Sequence, residues 1–371
     1  MAFLRRQYVG FRHLSPLWIG WRTDDGLGEL GAEPLLLGRS GVPGVLDRML
    51  FKQFGRLPVQ PDLRLSHARV IHAHFGRGGA LALPIARALG IPLVVTFHGG
   101  DATKEKHYLP RLVPTIYQRR LAALQEEASV IICVSSYIRD RLAERGFPTE
   151  KLRVVRYGIE IDETPPTAAM KSPYVLFVGR FVEKKGIWFL IEAMRLLERR
   201  GIQVPLMLIG DGSLAAGLRE QARTLEHVHF LGWRPNSEVR QWMRDAVAVC
   251  VPSVTAASGD TEGLPNVVIE AMAQGAPVIG SHHSGIAEAV EHERTGLLVP
   301  SGDAAAIADA IGWLLDHPDA QRTMAKMARE RARTHFDAVR QSRLLEDLLL
   351  SVCRGERRSS RNDGGPACSS R

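Results

Sequence analysis

Long apolar runs are missing from this 371-residue sequence. No stretch reaches the roughly eighteen residues that a membrane-spanning helix needs, so none is expected. Arg5 and Arg6 stand near the start with no apolar run behind them, so no signal peptide is expected either. Cysteine is scarce, with four in the chain. Cys133 and Cys250 lie inside apolar runs and read as small buried hydrophobes. No Cys-x-x-Cys pair and no Cys/His spacing suggests zinc. Few thiols and no leader point to a reducing, cytoplasmic setting. The charge balance is basic, +8 overall, and residues 1–170 carry 23 Lys and Arg against 16 Asp and Glu. That excess is scattered and lacks interleaved aromatics, so a nucleic-acid partner is not expected. An Asp-x-Asp pair at a strand end, which would hold Mg²⁺, is also missing: Asp24 and Asp25 are adjacent, and Asp211 stands alone.

What is present is regular alternation. From Arg69 the text reads strand (RVIHAHF), helix, strand (PLVVTFH), helix, strand (VIICVS), helix. A second series has its strands at YVLFVGR, VPLMLIG, VHFLGW, VAVCVPS and PVIGS. Strands alternating with helices imply parallel pairing and doubly wound sheets. At this length the chain divides into two domains. The expected units are 1–165 and 171–335, joined by a Pro-rich linker at 163–173. A helix at 336–351 is expected to return to the first unit, and 352–371 has no apolar pattern and reads as a disordered tail. Residues 1–66 are the least readable, with weak strand text at 16–21 and 31–38 and no clear opening strand. Open α/β sheets bind ligands at the carboxyl ends of their strands, here the cleft between the units.

Ser253 to Ser281 is the most informative stretch. A loop of small residues runs into Gly263, Leu264, Pro265 and Asn266. Leu264, Val267, Val268, Ala271 and Met272 then fall on one face of a helix. Free N–H groups and the positive dipole end of such a helix make an anion site suited to a diphosphate. Glu262 precedes the helix and Glu270 lies within it, off the apolar face. Carboxylates beside a phosphate site suggest bonds to sugar hydroxyls; solvated surface glutamates are the plain alternative. At another strand end, Gly179 and Arg180 lead to Lys185 at a helix start. Arg180 can grip phosphate oxygens through two N–H groups, and Lys185 offers a point charge. Adjacent Lys184 is expected to point elsewhere if the helix is regular. His98 closes a strand before Gly99 and Gly100, and His74 closes the neighbouring one. Asp101 follows as a further polar contact. Gly210 and Asp211 follow a strand where a nucleotide backbone could approach. Trp233 follows the next, where stacking on a base and partial burial both remain open.

Glu262-GLPNVVI-Glu270, the AMAQGAPVIGS text after it, Gly179-Arg180 with Lys185-Gly186, and TFHG around His98 together resemble the retaining glycosyltransferases of the GT-B fold often called family 4. The resemblance covers Val70 to about Leu350. It implies two Rossmann-like domains facing across a cleft and transfer of a hexose from a UDP- or GDP-sugar to a glycan or lipid-linked glycan, as in bacterial surface polysaccharide synthesis. Glu262 would bond the donor sugar and Glu270 the ribose. Arg180 and Lys185 would face the diphosphate without a metal or other cofactor, and His98 would contact the sugar or diphosphate. His74 and Asp101 would border the acceptor. Displacement on one face of the sugar, with the leaving phosphate helping to deprotonate the acceptor, follows by the same resemblance. The basic first half would suit the anionic inner face of a membrane. An inactive nucleotide-binding scaffold and a nucleotide-sugar epimerase are the alternative readings.

Overall fold

The computed structural model describes residues 2–20, 34–37, 41–55, 67–109, 112–161 and 173–362. Helix α1 (Ala2–Arg6) comes first. Two short strands follow, β1 (Ile19–Gly20) and β2 (Leu35–Leu36), paired parallel with each other and not with the larger sheets. Helix α2 (Gly41–Phe54) lies in the least readable stretch of the sequence. Val42, Val45, Leu46 and Met49 share one face at helical spacing, yet all four are exposed, while Gly44, Asp47 and Phe51 are the buried residues.

Regular alternation then begins, as the sequence predicts. It runs β3 (Ile71–His74), α3 (Gly76–Leu89), β4 (Leu93–Phe97), α4 (Gly100–Thr103), α5 (Ile116–Glu127), β5 (Val130–Cys133), α6 (Ser136–Glu144) and β6 (Leu152–Val154). Strands β3-β4-β5-β6 form one parallel sheet in chain order. Among the described residues β3 pairs only with β4, so no strand lies on its outer side. Period-two alternation sets the two faces of this sheet. Leu93, Val95 and Phe97 pack under the α3–α5 side, while Val94 and Ile132 face the other way.

The second series is β7 (Val175–Val178), α7 (Ile187–Arg199), β8 (Leu206–Ile209), α8 (Ala215–Gln221), β9 (Val228–Gly232), α9 (Asn236–Asp245), β10 (Ala248–Val251), α10 (Asn266–Ala273), β11 (Val278–Ser281), α11 (Ile286–Ala289), β12 (Gly296–Val299) and α12 (Ala304–Asp316). The sheet order is β12-β11-β10-β7-β8-β9, all parallel. Its winding reverses between β7 and β10, the crevice where such sheets take ligands. Strand β12, only four residues long, was not read from the sequence. Helix α10 begins two residues later than its apolar pattern suggested, with Pro265 as its N-cap rather than inside the first turn. It is buried almost all round, since Ile269 and Ala273 are covered along with Val268, Ala271 and Met272.

The C-terminal helical stretch divides at Phe336–Asp337 into α13 (Pro318–His335) and α14 (Ala338–Asn362). The break is where the chain crosses back: Ile159 N–H donates to Phe336 O and Ala338 N–H to Ile159 O, at 2.8 and 2.9 Å. Leu345 and Leu349 of α14 then cover Val94 and Ile132 of the first sheet. Helix α14 continues to Asn362, past residue 351 where the apolar pattern stops, so 352–362 is helical where disorder was expected. The Arg-, Glu- and Ser-containing text there is compatible with a solvated helix. The expected linker falls on residues outside those described, 162–172.

Candidate active site

The reversal point supplies charge. Arg180 follows β7 and is exposed at the cavity. Residues Glu183–Lys185 form a 3₁₀ turn and not the start of a regular helix. That corrects the expectation for Lys184. The tighter turn sends both ammonium groups the same way, with Lys185 Nζ 3.1 Å and Lys184 Nζ 3.5 Å from Glu262 Oε1. Lys184 Nζ also lies 3.3 Å from Asp260 Oδ1, and Lys104 Nζ from the other half lies 3.0 Å from Asp260 Oδ2. The turn ends at Gly186, at φ +62°, where a Cβ would lie 1.8 Å from Pro252 O. Only glycine lets this turn lie against the strand end at β10.

Glu262 is 9 % exposed. Burial pushes its carboxyl up, but the Lys185 and Lys184 ammonium groups outweigh that and hold it below the usual range. Both ammonium groups sit on its Oε1, and a carboxylate has acceptor sites for more than two donors, so it can also take a ligand hydroxyl.

The first half supplies uncharged rings. His98 ends the β4 segment and lines the cavity. Its Nε2 lies 3.2 Å from His74 Nδ1, and its Nδ1 meets the Tyr157 hydroxyl. Burial is the main reason its imidazole titrates well below the ordinary value, and the neighbouring His74 adds to this. His74 itself is pushed down to about 4 by burial. It stands behind His98 and not among the cavity-lining residues. Asp101, expected as an acceptor-side contact, lines the cavity and also orders its loop. Its carboxylate accepts N–H bonds from Gly76 (3.1 Å), His98 (3.0 Å) and Gly99 (2.8 Å), so it holds the loop that carries His98.

The two halves touch closely here. A Cβ on Gly263 would lie 2.3 Å from His98 O. Ser135 Oγ donates to Gly263 O at 3.1 Å. Glu288 of α11 accepts from Ser136 N–H and Tyr137 N–H, at 3.0 and 2.8 Å, capping α6 from across the cleft. Between the halves lies a cavity of about 740 Å³, lined by His98, Gly99 and Asp101 on one side and Arg180, Lys184 and Asp260 on the other. Arg77, Lys104 and Arg119 add positive charge at its first-half wall.

Other predicted residues lie away from this cavity. Glu270 faces a second cavity of about 340 Å³ and is 3.2 Å from Arg6 Nη1 of α1. Trp233 is 76 % exposed and lines neither cavity. Asp211 is exposed, with its carboxylate accepting the N–H of Gly212 at 2.7 Å. Gly210 packs its backbone against Gly179. Leu264 and Pro265 are buried at the head of α10, and Asn266 is half-buried. Sequence reasoning missed Lys184, Asp260, Tyr157 and Arg6. The doubled lysine was a signal for the first; the others act through long-range contacts that no local pattern announces.

Residues 172–317 match the family described as glycosyl transferases group 1, and residues 25–163 match glycosyltransferase family 4. An amylovoran biosynthesis glycosyltransferase of Erwinia amylovora is 35 % identical over 291 residues, covering 76 % of this chain and 70 % of its own. A GDP-mannose-dependent α-(1-6)-phosphatidylinositol monomannoside mannosyltransferase of Mycobacterium tuberculosis is 30 % identical over 293 residues, covering 73 % and 74 %. Among solved structures, Anabaena HepE in complex with UDP superposes with a TM-score of 0.71 at 22 % identity, covering 88 % of each chain. That likeness establishes the two-domain GT-B fold.

Proposed function

The chain belongs to glycosyltransferase family 4, and on that premise we propose that it transfers a hexose, with retention, from a UDP- or GDP-sugar to a glycan or lipid-linked glycan in surface polysaccharide synthesis. The observation that carries this reading is the buried Glu262 carboxylate, ion-paired to Lys185 and to Lys184, the second of which lines the cavity that His98 also lines. Breaking a sugar–diphosphate bond leaves negative charge on the diphosphate while the sugar becomes cation-like. Arg180, Lys184, Lys185 and the head of α10 answer the first need, and Glu262 the second. In this reading those cations stabilise the leaving group without a metal. The acceptor hydroxyl attacks from the face the diphosphate leaves, and a phosphate oxygen takes its proton.

The amylovoran relative supports a polysaccharide pathway, and the mannosyltransferase relative keeps GDP among the donors. Glu270 meets the ribose once Arg6 gives way, and Trp233 lies beside the base. Arg77, Lys104 and Arg119 favour an acceptor that carries phosphate, as a lipid-linked glycan does. Such an acceptor would bring the protein to an anionic membrane face; no helix among the described residues is long and apolar enough to cross one. The test is product formation from UDP- and GDP-hexoses with a lipid-diphosphate-linked oligosaccharide, in EDTA. Transfer with retained anomeric configuration supports the reading. Inversion, or activity only after Mg²⁺ is added, contradicts it.

A further inference from the structure

Behind His98 the first half carries polar side chains that the reading above does not use. Thr96 Oγ1 lies 2.7 Å from His72 Nε2. His72 Nδ1 lies 2.8 Å from the Tyr8 hydroxyl, and the same hydroxyl lies 2.8 Å from His74 Nε2. His74 Nδ1 lies 3.2 Å from His98 Nε2, and His98 Nδ1 meets the Tyr157 hydroxyl, whose ring stacks on the imidazole with centroids 5.6 Å apart. Thr96, His72, Tyr8, His74, His98 and Tyr157 thus form one unbroken chain. It draws on β3, β4, the segment after α1 and the segment after β6.

Burial keeps all three imidazoles neutral, with His74 pushed down to about 4 and His72 and His98 lowered well below the ordinary value. A neutral imidazole carries one ring proton, so if one nitrogen donates the other accepts. Each of these rings engages both nitrogens within the chain. Tyr8 has one proton for its two partners, so it donates to one and accepts from the other. Every bond therefore runs in the same direction, and the tautomer of His98 is tied through Tyr8 to that of His72. A substrate hydroxyl that meets the His98 ring therefore meets a donor or an acceptor according to the tautomer that this chain holds.

We propose that Tyr8 and His72 are positioning residues for sugar transfer: through His74 they set the tautomer of His98, and so whether its ring meets the substrate as donor or acceptor. The inference rests on the reading that puts the reaction at His98. It explains why two histidines and a tyrosine, each half-buried, stand behind the cavity, where apolar side chains would pack at less desolvation cost.

The test is Tyr8→Phe, which removes one oxygen and interrupts the chain at its centre. The expected result is a fall in kcat of about tenfold, the effect of roughly one hydrogen bond's net worth. Donor KM and nucleotide affinity should stay within about twofold. In ¹⁵N NMR of the imidazoles, His98 should pass from one tautomer to a mixture. His72→Leu should reproduce the loss. His72→Asn, whose amide keeps a partner for the Tyr8 hydroxyl, should restore most of it. Wild-type kcat and an unchanged His98 tautomer in Tyr8→Phe, with His98→Ala inactive, would overturn the inference alone. A kcat loss with the tautomer unchanged would also overturn it, because the hydroxyl would then act by packing. Full activity in His98→Ala would instead remove the site reading, and this inference with it.

Discussion

The cleft wall at β7 and β10 meets the cavity with Arg180, Lys184 and Asp260; the wall at β3 and β4 meets it with the neutral ring of His98, backed by two more imidazoles and flanked by Arg77, Lys104 and Arg119. Both walls grow from the same strand-then-helix alternation, and both place their chemistry just past a strand end. In one, Lys184 and Lys185 converge on Glu262, and Asp260 is gripped from both halves by Lys184 and Lys104. In the other, His72, His74 and His98 are desolvated until none is charged near neutral pH. A diphosphate needs fixed positive charge, whereas sugar hydroxyls need directed donors and acceptors that do not add charge. The difference between the walls matches the two halves of a nucleotide-sugar.

The sharpest way to break the comparison is to neutralise the charged wall. Glu262→Gln removes one member of a buried ionic cluster and leaves Lys184 and Lys185 facing a neutral amide. We expect transfer to fall by at least about a hundredfold, the loss of roughly 3 kcal/mol that follows removal of one preorganised group facing the charge of the transition state. Steady-state turnover measures it, with far-ultraviolet circular dichroism to show that the fold persists. Wild-type turnover would refute the role of Glu262.

The neutral wall is tested by acid. A histidine whose folded-state value lies below its unfolded one contributes stability that is fully present above the unfolded value, 6.5, and is lost as pH falls toward the folded value, about 4 for His74. His74 alone then represents roughly 3 kcal/mol across that window, and His72 and His98 act in the same direction. Urea midpoints measured from pH 8 to 4.5 should fall steeply below about 6.5. The slope should be shallower in His72→Leu. A flat profile would mean that these rings are more hydrated than their packing indicates.

Smaller effects test how the walls are held together. Glu288→Ala leaves the N–H groups of Ser136 and Tyr137 without their acceptor and frees Arg156, so a loss of about 1–2 kcal/mol is expected. The loss should appear as a lower melting temperature and a more easily opened cleft. An unchanged melt would show that water caps α6 equally well. Arg6→Ala breaks a half-exposed ion pair, worth under about 1 kcal/mol. If Glu270 receives the ribose, releasing it should tighten nucleotide binding, by no more than about fivefold. Weaker binding would mean that Arg6 itself holds the nucleotide.

Much of this was legible in the sequence, for identifiable reasons. Strand-end positions are local, so Arg180 and His98 could be located from the strand text YVLFVGR and PLVVTFH, which the structure realises as β7 and β4, and Glu262 from the loop that leads into α10. The direction of Lys184 was misjudged because a regular helix was assumed where the chain takes a 3₁₀ turn held by Gly186. The hold of Asp101 on the His98 loop was not foreseen, because its partners there are backbone N–H groups, which leave no trace in side-chain spacing. Tyr8 and Arg6 were invisible because the first residues have no periodicity of their own. They are fixed by distant parts of the chain, including Glu346 of α14, whose carboxylate accepts the N–H groups of Arg12, His13 and Leu14. The length of α14 was underestimated because its last turns, GERRSSRN, carry no apolar periodicity in the sequence.

The most direct measurement is a calorimetric titration of UDP and, separately, GDP in EDTA, on the wild-type chain and on an Arg180→Ala/Lys185→Ala double variant. The expected result is metal-free binding of one nucleoside diphosphate, weakened by at least about tenfold when the two cations are removed. Binding of neither nucleotide without a metal, or binding that survives the double variant unchanged, would contradict the assignment of the charged wall to the donor diphosphate.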